Sequence, residues 1–214
     1  MRLKICGLTD AAQAHAIAGL GVHALGFICV PGTPRYVDPT RLATLTCALP
    51  PFVERVGVFM DASIETIQAT VRLGGITALQ LHGEESPAQC ARLGLELPGV
   101  SRIKALRIRD PQDLTQVRAY HGVVDAVLLD AWHPERAGGT GLTIDGRWLV
   151  DFEAGMPWIL AGGLTPDNLG EVLDQLHPDA VDLSSGVETR PGIKDLDKVA
   201  RVLSIVQRHS HATA

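Results

Sequence analysis

Short apolar segments alternate with amphipathic segments along nearly the whole chain of 214 residues. The apolar segments are rich in Val, Ile and Leu without strict alternation, as is typical of parallel strands covered on both faces. Eight strands are predicted, at 3–7, 24–30, 53–59, 78–82, 102–108, 126–131, 158–162 and 180–185. Helices are predicted between and after them, at 10–19, 39–49, 63–73, 86–96, 111–120, 145–154, 166–176 and 194–207. Eight βα units of this length predict an α/β fold, a single closed (β/α)8 TIM barrel over residues 1–214.

Capping residues support several of these boundaries. Thr9-Asp10 precedes the first helix, Ser63 opens the third, and Pro166-Asp167 opens the seventh. An open doubly wound sheet is the alternative, but it usually has fewer repeats and a Gly-x-Gly-x-x-Gly loop after the first strand, which this chain lacks. The last residues, about six in number, are expected to form a disordered tail.

Two ionisable side chains end predicted strands that lie far apart in the sequence. Cys6 ends the first strand and Asp130 ends the sixth. Because the C-terminal ends of all strands in such a barrel meet on one face, the two side chains are expected to share a pocket. A cysteine facing an aspartate suggests paired proton transfer.

The loops after the seventh and eighth strands are rich in glycine and serine. They carry Gly162-Gly163 and Ser184-Ser185-Gly186, whose backbone N–H groups and hydroxyls suit a phosphate group. A second glycine-rich loop, residues 131–143, follows Asp130 and is a candidate lid, or otherwise a flexible surface loop.

Composition and charge narrow the classes of function. The net charge of −5 and the pI near 5.9 give no reason to expect a nucleic acid or an anionic membrane as partner. The apolar segments are too short to span a bilayer and the N-terminus lacks a signal-like segment, so a cytoplasmic protein is expected. The cysteines have no CxxC spacing and are expected to be free thiols rather than metal ligands: Cys6, Cys29, Cys47 and Cys90. His209 and His211 form a weak H-x-H pair, for which the tail interpretation is preferred to a metal site.

Taken together, the motifs resemble those of the phosphoribosylanthranilate isomerases. The matching segments run in the order of that family from residue 3 to residue 198: Lys4-Ile5-Cys6-Gly7, Gly26-Phe27-Ile28, Thr33-Pro34-Arg35-Tyr36-Val37, Val56-Gly57-Val58-Phe59, Leu79-Gln80-Leu81-His82-Gly83, Leu129-Asp130, Gly138-Gly139-Thr140-Gly141, Leu160-Ala161-Gly162-Gly163-Leu164 and Val181-Asp182-Leu183-Ser184-Ser185-Gly186-Val187-Glu188. The resemblance implies a TIM-barrel isomerase of tryptophan biosynthesis. It would convert N-(5-phosphoribosyl)anthranilate to 1-(2-carboxyphenylamino)-1-deoxyribulose 5-phosphate by an Amadori rearrangement, without a metal or an organic cofactor.

The resemblance also implies residue roles. Cys6 would be the general base, Asp130 the general acid, and Arg35 the partner of the anthranilate carboxylate. A free thiol is mostly protonated at neutral pH and a free aspartate mostly ionised, so the site must oppose both tendencies; a cation or a helix N-terminus near Cys6 is expected. Gln80 and His82 would border the substrate, with His82 either donating into the pocket or supporting the acid. Arg107 could contact substrate or pair with a carboxylate.

The chain departs from the family pattern in and near the candidate lid. Thr33 replaces the usual serine, Ala137 stands where the family often has lysine, and residues 144–148 contain two extra residues before the tryptophan. These changes do not affect Cys6, Asp130 or Arg35.

Other functions are less well supported by the residues. A bifunctional barrel that also isomerises the related histidine-pathway substrate generally has an aspartate at the position of Cys6. An aldolase or synthase barrel would need a Schiff-base lysine or metal-binding carboxylates at a strand end, and Lys104, within the fifth strand, has no evident activating partner. A sugar-phosphate sensor without turnover stays open, as does the choice between monomer and homodimer.

Overall fold

The computed structural model describes residues 1–131 and 146–212. Eight parallel strands close into one barrel in sequence order, with β1 pairing β8. The strands are β1 (Arg2–Cys6), β2 (Ala24–Ile28), β3 (Glu54–Phe59), β4 (Ala78–Leu81), β5 (Ser101–Ile108), β6 (Ala126–Ala131), β7 (Trp158–Ala161) and β8 (Ala180–Leu183). The predicted (β/α)8 fold class is therefore confirmed. Within the described ranges, no helix has the length and apolar character needed to cross a membrane.

Helices cover the outside of the barrel. The α-helices are α1 (Ala11–Gly19), α2 (Pro39–Thr46), α3 (Ile64–Gly74), α4 (Pro87–Glu96), α5 (Leu169–Gln175) and α6 (Leu196–Ala212). The side chains of Asp10 and Ser63 accept the capping hydrogen bonds expected at the starts of α1 and α3. α5 begins three residues after Pro166, and its cap residue Asn168 makes no side-chain capping bond.

The segment predicted as the fifth helix is a 3₁₀-helix, Pro111–Tyr120. Its buried residues are Val117 and Tyr120, and Leu114 packs against the same core. This spacing of three matches the 3.0-residue turn of a 3₁₀-helix, in which side chains three apart are aligned. The prediction of a helix was right here, but the α period was wrong.

The segment predicted as the sixth helix, 145–154, is mostly turn. From residue 146 onward it contains one 3₁₀ turn, Gly146–Trp148, followed by non-helical residues. Glycine at its start lowers helix propensity. Residues 132–145, which include the candidate lid and most of the departures from the family pattern, lie outside the described residues.

The C-terminal end also differs from the prediction. α6 continues to Ala212, so residues 209–212 are helical rather than a disordered tail. His209 bonds the carbonyl of Ile205 and, at 3.0 Å, the carboxylate of Asp174. Among the described residues, no cluster of potential ligands suited to a metal ion is found. An unpredicted hairpin, β9 (Glu188–Arg190) with β10 (Ile193–Lys194), lies between β8 and α6.

The core has two layers, as the alternation of side chains along a strand requires. A large outer cluster lies between the barrel and its helices and includes Leu3, Ile5, Val127 and Leu129. A smaller cluster fills the barrel interior: Val56, Ala78, Ile103, Ala105, Leu128, Ile159 and Ala161. This apolar filling closes the barrel below the ends of the strands, which leaves a pocket above it.

Candidate active site

A pocket opens at the C-terminal ends of the strands, with about 950 Å³ of empty space including its open mouth. Every candidate site residue predicted from the sequence lines it: Cys6, Arg35, Gln80, His82, Asp130, Gly162, Gly163, Ser184, Ser185 and Gly186. Arg107 and Asp182 line the same pocket. The strands therefore bring together named residues from seven βα units, as expected for this face of a barrel.

Cys6 lies at the floor of the pocket and is only 6% exposed. Gly26 on β2 is its register partner, and a Cβ atom placed at Gly26 would lie 2.7 Å from the Cys6 sulfur. Only glycine therefore leaves the thiol in this position. The Ser184 hydroxyl donates to the Cys6 carbonyl at 3.1 Å, which fixes the backbone on the other side.

Opposing effects act on the Cys6 thiol. Burial raises its pKa, and the nearby Asp182 carboxylate raises it further, whereas the ammonium groups of Lys4 and Lys194 lower it. The net shift is upward because burial is the largest effect. The expected cations are present beside Cys6, but they offset burial only in part.

Asp130 is held by a chain of hydrogen bonds from β4. His82 Nε2 lies 3.2 Å from Asp130 Oδ2, and Gln80 Nε2 lies 3.0 Å from His82 Nδ1. If the Gln80 amide donates to Nδ1, the ring proton is on Nε2 and points at Asp130. Of the two roles open for His82, contact with Asp130 is the one for which the structure shows a partner.

Arg35 enters the pocket from the loop after β2 and is anchored by Glu188. Its Nε and Nη2 atoms donate to the two carboxylate oxygens at 2.9 and 2.6 Å. Lys194, whose side chain is fully buried, donates to the same carboxylate at 2.7 Å. Burial raises the pKa of Glu188, but the hydrogen bonds from Arg35 and Lys194 outweigh it and lower that pKa to about 2.

Arg107, the cation with an open role, points toward β4. Its Nη2 atom donates a long bond of 3.4 Å to the His82 carbonyl, and its register partner on β6 is Asp130. The guanidinium thus lies beside the acid chain rather than in an ion pair of its own among the described residues.

The two loops expected to bind phosphate meet at one edge of the pocket. Gly162 and Gly163 adopt φ values of 87° and 64°, which favour glycine. A side chain at Gly186 would overlap the carbonyl oxygen of Leu164, so close packing of the two loops also requires glycine there. The Ser184 hydroxyl already donates to the Cys6 carbonyl, which leaves Ser185 as the serine of this segment with a hydroxyl not bonded to Cys6.

Three charged residues near the base were not predicted as site residues. Lys4, Asp182 and Lys194 are all buried, and Lys4 donates to Asp182 at 2.7 Å. A signal was present for the first two, because Lys4 lies between apolar residues of β1 after the exposed Arg2, and Asp182 is the charged residue of the otherwise apolar β8. Such residues are rarely buried without a partner.

Comparisons with known proteins agree with this geometry. Residues 3–205 match the family model described as N-(5'phosphoribosyl)anthranilate (PRA) isomerase. The chain belongs to the phosphoribosylanthranilate isomerase family. It is 59% identical over 208 residues to an N-(5'-phosphoribosyl)anthranilate isomerase of Gloeobacter violaceus, which covers 97% of this chain and 94% of the relative.

Solved structures of phosphoribosylanthranilate isomerases have the same fold. The enzyme from Thermotoga maritima superposes with a TM-score of 0.89 at 33% identity, covering 97% of this chain and 99% of that one. A phosphoribosylanthranilate isomerase in complex with reduced 1-(o-carboxyphenylamino)-1-deoxyribulose 5-phosphate superposes with a TM-score of 0.86 at 31% identity and the same coverage. The family resemblance drawn from the motifs is thus confirmed.

Proposed function

We propose that this protein isomerises N-(5-phosphoribosyl)anthranilate to 1-(2-carboxyphenylamino)-1-deoxyribulose 5-phosphate, a step of tryptophan biosynthesis. Membership of the family supports the reaction. The observation that carries the chemistry is the presence of Cys6 and Asp130 in one pocket, on strands β1 and β6. The whole chain acts as a single domain.

The reaction needs an acid first and a base second. Asp130, when protonated, gives its proton to the ring oxygen of the ribose while the bond from C1′ to that oxygen breaks. The anthranilate nitrogen supplies its lone pair to C1′ and becomes an iminium. Cys6, as thiolate, then removes the proton from C2′, and the electron pair of that C–H bond forms the enolamine. Tautomerisation of the enolamine, in which the C2′ hydroxyl loses its proton and C1′ gains one, gives the ketone.

Arg35 binds the anthranilate carboxylate through its free edge. The edge formed by Nε and Nη2 is engaged by Glu188, so a substrate carboxylate meets the other edge, formed by Nη1 and Nη2. Arginine presents its donors in a fixed plane, and two parallel bonds to a carboxylate fix the orientation of the aromatic ring. Glu188 thus orients the guanidinium for its ligand.

The phosphate binds at the opposite end of the substrate, against Gly162, Gly163, Ser185 and Gly186. The loops are close enough to offer backbone N–H groups from both sides, and this is the usual phosphate edge of a TIM barrel. Gln80 and His82 border the ribose between the two ends. This arrangement uses no metal ion and no organic cofactor.

The small phosphosugar is the partner that this pocket serves, and neither nucleic acid nor a membrane is expected to bind. The enzyme is assigned to the cytoplasm. One solved relative, from Thermotoga maritima, is described as dimeric, and monomers have been generated from it. For this chain both a monomer and a homodimer are open, and neither changes the assignment of the pocket residues.

The test is turnover of freshly generated phosphoribosylanthranilate, followed by loss of its fluorescence. Wild type should turn over, while Cys6→Ala and Asp130→Asn should each lose about 100- to 10,000-fold in kcat. Cys90→Ala is the matched control, because Cys90 is a buried thiol that does not line the pocket. It should keep the wild-type rate.

Two results would contradict the proposal. Binding of the compound by folded wild type without conversion would favour a sugar-phosphate sensor. Full activity of either site variant would mean that the corresponding proton is moved by another residue.

A further inference from the structure

A buried ion pair lies inside the barrel directly below the candidate base. Lys4 and Asp182 are 3% and 9% exposed, and Lys4 Nζ lies 2.7 Å from Asp182 Oδ2. Strand register fixes the pair, since Lys4 on β1 lies opposite Asp182 on β8. Burial of two charges is costly even when they are paired, so this pair is weak as a device for stability alone.

The side chains of this pair lie on the same face of the barrel wall as the Cys6 side chain. Lys4 and Cys6 are two residues apart on β1, so their side chains point to the same face of the strand, which is the barrel interior. Asp182 lines the pocket together with Cys6. Its second oxygen, Oδ1, is buried and has no hydrogen-bond partner among the described residues, so Lys4 engages the carboxylate on one oxygen only.

We propose that Lys4 and Asp182 act as a positioning pair for the general base, with Lys4 stabilising the Cys6 thiolate and Asp182 limiting that effect. Together they determine the pH at which Cys6 ionises. The inference rests on the proposed role of Cys6 in the isomerase reaction. The pH at which the Cys6 thiol ionises can also be measured without turnover.

Other groups face the sulfur from each neighbouring element. β2 contributes the uncharged Gly26, and Cys29 follows that strand; the hairpin contributes Lys194, and the loop after β2 contributes Arg35. Across the pocket lie His82 and Asp130. Lys194 and Arg35 are both bonded to Glu188, which offsets their charge locally. Lys4 is therefore the first cation to remove, and its effect on the Cys6 pKa is larger than that of Lys194.

The two members of the pair should act in opposite directions. Lys4→Met removes a positive charge near the sulfur, so the thiol should ionise at a higher pH. Asp182→Asn removes a negative charge and leaves Lys4 in place, so the thiol should ionise at a lower pH. A charge within about 4–6 Å of an ionisable group typically moves its ionisation midpoint by about one to three pH units. Loss of packing alone gives no reason for opposite signs.

The experiment is the rate of iodoacetamide labelling of Cys6 as a function of pH, quantified by mass spectrometry of the peptide that contains it. The peptide readout separates Cys6 from the other thiols, of which Cys29 and Cys90 have pKa values raised by burial to about 12 and about 11. The pH profile of kcat/KM is measured beside it. Its rising limb should move with the labelling midpoint in both variants.

Two further variants control for folding. Lys4→Arg keeps the charge and should stay near the wild-type midpoint. Lys104→Met removes another buried lysine, 2.8 Å from Glu85, which does not line the pocket. It should lower the melting temperature and leave the Cys6 midpoint unchanged. If Lys4→Met does not fold, Asp182→Asn still tests the sign.

The inference is overturned if both variants shift the midpoint in the same direction or if neither shifts it. Failure of the proposed function gives a different result: wild type would bind phosphoribosylanthranilate without converting it, whatever the labelling midpoints show. Failure of the assigned base would appear as retained turnover in Cys6→Ala.

Discussion

The proposed acid, Asp130, and the proposed base, Cys6, lie on opposite sides of one barrel, and the protein holds them by different means. On the side formed by β4, β5 and β6, Asp130 is reached through a chain of hydrogen bonds from His82 and Gln80. On the side formed by β8, β1 and β2, Cys6 is surrounded by buried charges, among them the Lys4–Asp182 pair. The acid side depends on directed hydrogen bonds and the base side on charge and burial.

The difference follows from what each group must do. A carboxyl group that donates a proton benefits from a partner that can accept or donate as its protonation changes, and imidazole does both. A thiol has weak hydrogen bonds, so nearby charges are the stronger means of favouring its thiolate. Changes on the base side should therefore alter the pH dependence of kcat/KM. Changes on the acid side should lower kcat and have less effect on that pH dependence.

The largest effect is expected from Gly26→Ala, which tests the position of the base. The added methyl group would lie 2.7 Å from the Cys6 sulfur, so the thiol must move. A displacement of this order typically costs about 100-fold in rate. Gly19→Ala is the matched control, since a Cβ atom at Gly19 meets nothing within 4 Å. Equal kcat values for the two variants would show that the position of the thiol is not critical.

Arg35→Met tests substrate binding rather than the acid or the base. Loss of a charge-assisted hydrogen bond to the carboxylate should raise KM about thirty-fold, with a smaller change in kcat. Arg92→Met is a suitable control because Arg92 pairs with Glu96 on the exposed surface. If KM does not change in Arg35→Met, another group binds the carboxylate, and Arg107 is the next to be tested.

His82→Asn should weaken the acid side by a smaller factor. The bond of 3.2 Å to Asp130 is lost, and kcat should fall about ten-fold, as expected for one hydrogen bond to a charged group. The rising limb of the pH profile, which belongs to Cys6, should not move. The control is His121→Asn, because His121 bonds the carbonyl of Ala154 away from the pocket. A shift of the rising limb in His82→Asn would contradict the separation of the two sides.

The smallest effect is on stability in acid. The folded pKa of Glu188 is about 2, below its ordinary value of 4.5. The stabilisation from this group is therefore fully present above about pH 5 and is lost as the pH falls toward 2. Glu188→Gln should make the free energy of unfolding, measured with urea, less dependent on pH across that window. An unchanged slope would mean that the ion pairs of Glu188 add nothing to folding.

The barrel was predictable from sequence because eight short, mostly apolar segments alternate with helical segments, and few folds other than a closed barrel accommodate eight βα units of this length. The 3₁₀ geometry of Pro111–Tyr120 was less accessible, since apolar residues three positions apart are also neighbours on the buried face of an α-helix. α6 extended past its predicted end because its buried residues Val199, Val202, Leu203 and Val206 are followed by the contacts of His209.

Most members of the site were predicted, but the buried charges Lys4, Asp182 and Lys194 and the connections between residues were not. Strand-end position placed Cys6 and Asp130 together, and the family motifs added Arg35 and the glycine loops. The bond between Arg35 and Glu188 joins residues 153 positions apart and depends on a short hairpin with little sequence signal. The Lys4–Asp182 pair likewise becomes visible only when β1 and β8 are in register.

The most direct test of the account is the pH dependence of kcat/KM for wild type and Cys6→Ser, measured with freshly generated phosphoribosylanthranilate. Serine keeps the size of the side chain but is far weaker as a base. Burial raises the pKa of the Cys6 thiol, so the wild-type rate should increase as the pH rises and more thiolate forms. The serine variant should be slower by about 100- to 10,000-fold and should lack that increase. A serine variant with the wild-type rate and profile would show that the thiol is not the base.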